Sequence, residues 1–202
     1  MKKIIILTWL SVMLACQSQN IKNMTPTVDN QFETFENKTF NNNKTFKEFL
    51  PNGNYIEIMR FISGIQYTET YNDSYYKIIK IYYPKGNIKA KGINFNGTGF
   101  SSGIWYDFDE NGKLIKETNY DEPYKFTFED ILQFCKKENI EVKKGPILQS
   151  TGYHTTIRRD VQNGKVWWEI RWLKTPDTIE TIKLDGETGK VLSRTEQHYT
   201  NN

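Results

Sequence analysis

Closely spaced turn signals restrict the fold of this chain more than any other feature. Pro51-Asn52-Gly53, Asn72-Asp73-Ser74, Pro84-Lys85-Gly86-Asn87 and Asn111-Gly112 interrupt the first half of the sequence at short intervals. Each combines residues that favour chain reversal for different reasons: glycine reaches positive φ, proline presets φ, and Asn or Asp bonds its own backbone. Between them run segments rich in Tyr, Ile and Thr, over 54–62, 64–71 and 74–83, whose alternation has the period of a strand. Connections this short leave no room for the crossover that a parallel pair needs, so an antiparallel meander is predicted. Within 54–62, Ile56, Ile58 and Ile62 are expected to share one face.

A change of period follows Pro123. Thr127-Phe128-Glu129-Asp130 has the form of a helix N-cap with an acidic first turn, and Phe128, Ile131, Leu132, Phe134 and Cys135 supply an apolar stripe, predicting a helix over about 128–139. Strands are expected at 154–161, 165–173, 178–185 and 190–196, separated by Asn163-Gly164, Thr175-Pro176-Asp177 and Asp185-Gly186-Glu187-Thr188-Gly189. The fold class is therefore α+β: a mostly antiparallel β meander with one main helix. With 37% hydrophobic and 25% charged residues in a 202-residue chain, a wholly disordered protein is excluded. The net charge of +3 is weak and evenly mixed, and does not specify nucleic acid as a partner.

The N-terminus reads as an address. Met1-Lys2-Lys3 precedes a mostly apolar run from Ile4 to Ala15, too short to cross a roughly 30 Å hydrocarbon core as a helix and of the length and flank of an export signal. With its ending Met13-Leu14-Ala15-Cys16, it resembles a bacterial lipoprotein signal peptide, although Met13 stands where that family prefers Leu. The resemblance implies cleavage before Cys16 and its acylation, giving an anchor in the bilayer. Two or more acyl chains hold stably where one binds only reversibly. Loss of residues 1–15 removes Lys2 and Lys3 and lowers the charge to +1. No Asp follows Cys16 to direct inner-membrane retention, so the expected place is the cell envelope, on the outer membrane facing the periplasm. Residues 16–44 are polar and are expected to form a flexible tether, whose phenylalanines Phe32, Phe35 and Phe40 are the residues able to dock.

Two stretches of the meander resemble each other. Tyr82-Tyr83-Pro84-Lys85-Gly86-Asn87-Ile88 is echoed by Tyr106-Asp107-Phe108-Asp109-Glu110-Asn111-Gly112-Lys113-Leu114, preceded by Gly103-Ile104-Trp105. This pattern resembles the variant MORN repeat of an antitoxin-like family and covers about 64–120 within a region 45–122. Trp168-Glu169-Ile170 and Lys183-Leu184-Asp185-Gly186-Glu187-Thr188-Gly189-Lys190-Val191 resemble a PepSY-type module, over about 123–202. The first resemblance implies a neutralising or immunity role against a toxin; the second implies restraint of a peptidase.

Signals for chemistry are sparse. Asp107, Asp109 and Asn111 match the first half of a calcium loop, but its twelfth position is Thr118, and a hairpin turn is the expected reading. No cofactor and no metal are expected. The histidines, His154 and His198, lack a partner at metal or catalytic spacing. Cys135 is expected to be a buried apolar residue, the alternative being a nucleophile. Carboxylates such as Glu129 with Asp130, or Glu117 with Asp121, cannot be set across a cleft from sequence alone, so an envelope hydrolase or glycan-processing enzyme stays as the rival reading. Aromatic residues carry the stronger signal. Along 165–173, Val166, Trp168, Ile170 and Trp172 share one face, and Trp167, Glu169 and Arg171 the other. Trp, Tyr and Arg dominate binding hot spots. The candidate partner-binding residues are therefore Trp167, Arg171, Tyr83 and Trp105, on a non-catalytic, lipid-anchored protein-binding module. The alternative for Trp167 is packing beneath the repeat region.

Overall fold

The computed structural model describes residues 25–36, 45–97, 99–148 and 152–198; Cys16 and the rest of the leader lie outside them. The turns deliver the meander. β1 (Thr45–Phe49), β2 (Tyr55–Phe61), β3 (Gly64–Thr70), β4 (Tyr76–Tyr82), β5 (Ile88–Phe95), β6 (Ser101–Phe108) and β7 (Leu114–Asn119) pair in chain order as one seven-stranded antiparallel sheet. α1 (Phe128–Lys137) follows. Then β8 (Thr156–Gln162), β9 (Lys165–Thr175), β10 (Thr178–Asp185) and β11 (Val191–His198) form a four-stranded antiparallel sheet in the order β11-β10-β9-β8. The expected α+β class, mostly antiparallel with one helix, is the observed one. Among the described residues no helix is long and apolar enough to cross a membrane.

Turn chemistry works as the residues dictate. Between β4 and β5, Tyr83 N–H bonds Asn87 O and Gly86 N–H bonds Tyr83 O; between β6 and β7, Asp109 N–H bonds Lys113 O and Gly112 N–H bonds Asp109 O. The same pair of bonds closes Leu50–Asn54 ahead of β2. In all three the glycine has a positive φ, +84° at Gly53, +95° at Gly86 and +85° at Gly112, which other residues adopt only with strain. The two echoing stretches are thus hairpins with the same turn bonds and the same bulged register, and they touch, with Asn87 Nδ2 donating to Glu110 O at 2.8 Å.

One face of the large sheet carries the core, in two clusters. The larger joins Tyr76, Ile78, Ile93 and Phe95 of the sheet to Phe128, Ile131 and Cys135 of α1 and to Trp168, Ile170, Ile182 and Leu184 of the small sheet. Both sheets and the helix therefore share one interior. Thr127 caps α1 in a reciprocal capping box with Asp130, as Thr127-Phe128-Glu129-Asp130 predicts. The smaller cluster lies at the other end of the sheet, around Ile58, Ile65, Tyr82, Ile88 and Phe108.

Two expectations need correction. Ile62 is not on the buried face of β2; it is fully exposed in the two-residue turn to β3, because the chain reverses before alternation reaches it. Residues 25–36, expected within a flexible tether, lie along the large sheet. Thr34 bridges Asn87, Phe35 N–H bonds Gly86 O, and Ile88 N–H bonds Glu33 O. The Phe35 ring meets Tyr82 edge-on at 5.3 Å, and the Phe32 ring sits where a side chain at Gly112 would be. Polar composition does not prevent docking here, because its charges find partners. Lys91, with 3% of its side chain exposed, donates to Asp29 Oδ1 at 2.8 Å and Gln31 O at 2.7 Å, and Lys80 pairs with Glu33 at 2.8 Å.

Candidate binding surface

β9 divides the small sheet into an inner and an outer face. Trp168 and Ile170 are completely buried, while Trp167, Glu169 and Arg171 alternate with them, half-buried, and belong to neither core cluster. Strand register builds the outer row. Trp167 lies opposite Asp160 and Asp185, Glu169 opposite Arg158 and Lys183, and Arg171 opposite Thr156 and Thr181. Glu169 thus stands between two cations, an arrangement that favours this register by about 0.2–1 kcal/mol per pair. The Lys183 ammonium lies 3.9 Å from the centroid of the Trp167 ring, within cation–π range.

Toward the β8–β9 hairpin this face dips into a groove of about 630 Å³, lined by Asn163, Lys165, Trp167, Lys183, Asp185 and Leu192 among others. Asn163 and Gly164 both have positive φ, 54° and 74°, the pattern of a tight Asn-Gly hairpin. Leu192 reaches the groove through a bulge: Lys183 pairs with Ser193 and Leu184 with Val191, which leaves Leu192 between them without a partner and 53% exposed. Trp167 Nε1 has no accessible surface and no hydrogen-bond partner.

The four aromatic and arginine candidates do not form one patch. Trp167 and Arg171 share the outer face of the small sheet. Trp105 lies on the large sheet's face opposite the core, over Gly92, with Nε1 donating to Ile93 O at 3.1 Å. The Tyr83 hydroxyl donates to Phe108 O at 2.9 Å and ties neighbouring hairpins together. Both thus spend their polar atoms inside the fold. In the calcium-like turn, Asp109 Oδ1 accepts the N–H groups of Asn111 and Lys113, both at 2.9 Å, and Asp107 lies opposite Lys116. Among the described residues no three His, Cys, Asp or Glu side chains gather as metal ligands would.

Of the residues weighed for catalysis, Cys135 and Asp121 are taken up by the fold. Cys135 is buried, and desolvation pushes its thiol up to about 12, so it is protonated at neutral pH. Burial, reinforced by Lys143, lowers the His154 imidazole below its usual range. Asp121 and Glu129 both border a cavity of about 230 Å³ between the sheets. Asp121, however, accepts from Arg159 Nη2 at 2.6 Å, from Ser102 Oγ at 3.2 Å and from Gly103 N–H at 2.8 Å. That hub escapes sequence reasoning. Its one sequence signal is a charged residue at the inward position next to Ile157 on β8, where alternation calls for an apolar one.

Comparison with known protein families, with characterised proteins and with solved structures finds no match to this chain.

Proposed function

We propose that this chain is a non-catalytic, lipid-anchored cell-envelope protein that binds another protein through the outer face of its small sheet. One observation carries the reading. Trp167 and Arg171, residue types that dominate interface energetics, stand on a face that contributes nothing to either core, while Trp168 and Ile170 on the same strand are fully buried. Envelope placement rests on the leader ending Leu14-Ala15-Cys16. The hairpin repeat and its antitoxin-like resemblance favour a neutralising role, which needs only a complementary surface held where the partner acts.

Trp167→Ala combined with Arg171→Ala tests the surface. Affinity capture of the anchored protein after crosslinking in cells should recover a partner, and the double variant should weaken that complex at least tenfold while Tm stays within about 2 °C. A large fall in Tm places these residues in the fold instead and removes the assignment. For the anchor, Cys16→Ala should abolish labelling by palmitate and release the protein from membranes; unchanged labelling refutes lipidation.

A further inference from the structure

We infer that the groove beside Trp167 receives an acidic peptide segment of the partner, with a carboxylate taken up by Lys183, Lys165 and the Trp167 indole N–H and an adjacent apolar side chain set on Leu192. This rests on the protein-binding reading and specifies its ligand chemistry.

Charge complementarity selects the ligand. Lys165 and Lys183 line the groove, and neither forms an ion pair within 4 Å among the described residues; of the two carboxylates in the lining, Glu187 has a cationic partner and Asp185 is held by neutral donors of its own turn, keeping its charge. Asp185 Oδ1 accepts Glu187 N–H at 3.1 Å, Thr188 N–H at 2.8 Å and the Thr188 hydroxyl at 2.8 Å. Glu187 pairs with Lys125 at 3.4 Å. Asp160 Oδ1 accepts Val161 N–H at 2.7 Å. Two ammonium groups against the one carboxylate without a cationic partner, Asp185, leave the groove a net positive charge, beside the indole N–H donor.

The indole is the second indicator. A buried donor without a partner is costly and rare in folded proteins, and Trp167 Nε1 is one. The Lys183 ammonium rests over this ring. A carboxylate seated at the ring edge pairs with Lys183 and accepts the indole N–H, so one ligand group satisfies both donors. The bulge supplies the rest, since it holds Leu192 in the groove wall, and bulges commonly re-aim a side chain in this way. An acidic residue next to an apolar one matches that pair of surfaces.

The test is a heteronuclear NMR titration of the Trp167 indole N–H, assigned by its loss in Trp167→Phe. The probes are a short peptide alternating glutamate with leucine, its glutamine and lysine counterparts, and chitotriose. The glutamate peptide should shift the indole resonance and those of Lys183 and Leu192, and Lys165→Gln with Lys183→Gln should weaken that binding at least tenfold. Equal response to the glutamine or lysine peptide overturns the proposal, as does a response to chitotriose alone or no response to the glutamate peptide. If the lysine variants retain the cellular partner that Trp167→Ala with Arg171→Ala loses, the groove assignment falls and the protein-binding reading stands. If the peptide binds as described and no cellular complex depends on Trp167 and Arg171, the converse holds.

Discussion

Replacing Arg159 by methionine tests what joins the two sheets. Its side chain is 5% exposed, and Nη2 donates to Ser101 O and to Asp121 Oδ1, each at 2.6 Å. The guanidinium carbon lies 4.6 Å from the ring centroid of Phe100, 4.4 Å from Tyr124 and 5.2 Å from Trp168. Methionine keeps much of the aliphatic contact and deletes the charge. A hydrogen bond to a charged group contributes about 1.5–3 kcal/mol, and a desolvated cation–π contact about 2 kcal/mol; three rings sharing one cation do not triple that figure. Stranding a buried charge costs about 3–5 kcal/mol, but Asp121 is 49% exposed, so water recovers part of its loss. The expected net destabilisation is about 2–4 kcal/mol. At about 2–4 °C per kcal/mol for a chain of this size, Tm should fall by roughly 4–16 °C.

The reverse deletion separates the pair from its surroundings. Asp121→Asn keeps an acceptor for Gly103 N–H but leaves the guanidinium, with almost no exposure, short of its counter-charge. The double variant should therefore be more stable than the two single losses predict, with a coupling of about 1–2 kcal/mol. Urea unfolding followed by tryptophan fluorescence measures all four species, since Trp168 lies against the cation. A methionine variant within about 0.5 kcal/mol of wild type, the range of an unremarkable surface change, or strictly additive losses would show that the aromatic packing alone joins the sheets.

Four further outcomes follow from particular contacts. Cys135, whose thiol burial pushes up to about 12, should resist a thiol-specific disulfide reagent at pH 8 in the folded protein and react at once in urea; prompt reaction in the folded state would place it at an accessible site. Lys91→Met should free residues 25–36, seen as at least tenfold faster limited proteolysis there. In the intact protein the hydrogen bond from Lys91, first among several causes, holds Asp29 below its usual value, so the carboxylate's contribution is present above about pH 4 and is lost as pH falls through the lower folded value. The nuclear Overhauser contact between Phe35 and Tyr82 should accordingly persist at pH 5 and weaken toward pH 2; weakening at pH 5 would contradict this. A side chain at Gly92 meets the Trp105 ring at 2.2 Å, so Gly92→Ala should cost about 1–3 kcal/mol by urea unfolding, and Trp105→Leu in that background should recover part of it.

What the sequence made legible was whatever depended on neighbours in the chain. Turn residues and period-two alternation depend on only a few adjacent positions, which is why the meander, the capped helix and the two faces of β9 could be read directly. Ile62 failed because alternation was carried one step past the point where the chain reverses. Residues 25–36 failed for a different reason: Lys80, Tyr82, Lys91 and Gly112, which hold them, lie in distant strands, and polar composition alone cannot tell a solvated charge from a paired one. Of the candidate surface, the Trp167–Arg171 row was legible by parity. The groove was not, because Leu192 enters it through a bulge that depends on how β11 pairs with β10.

Those distant pairings also decide how the surface is presented. Glu180, 3% exposed, is met by Trp172 Nε1, Lys174 and Arg194, and Arg159 and Lys91 are likewise engaged by oxygen atoms at 2.6–2.8 Å. These side chains fix the small sheet against the large one and residues 25–36 against their strands. A sheet held from behind in this way needs no ordering before any association, and prior order of this kind lowers the entropic cost of binding. Trp167 Nε1, on the outer face of the small sheet, is a buried donor without a hydrogen-bond partner. If the groove takes up a carboxylate as proposed, the ligand supplies the acceptor this donor lacks, and the sheet behind it presents the donor without reordering.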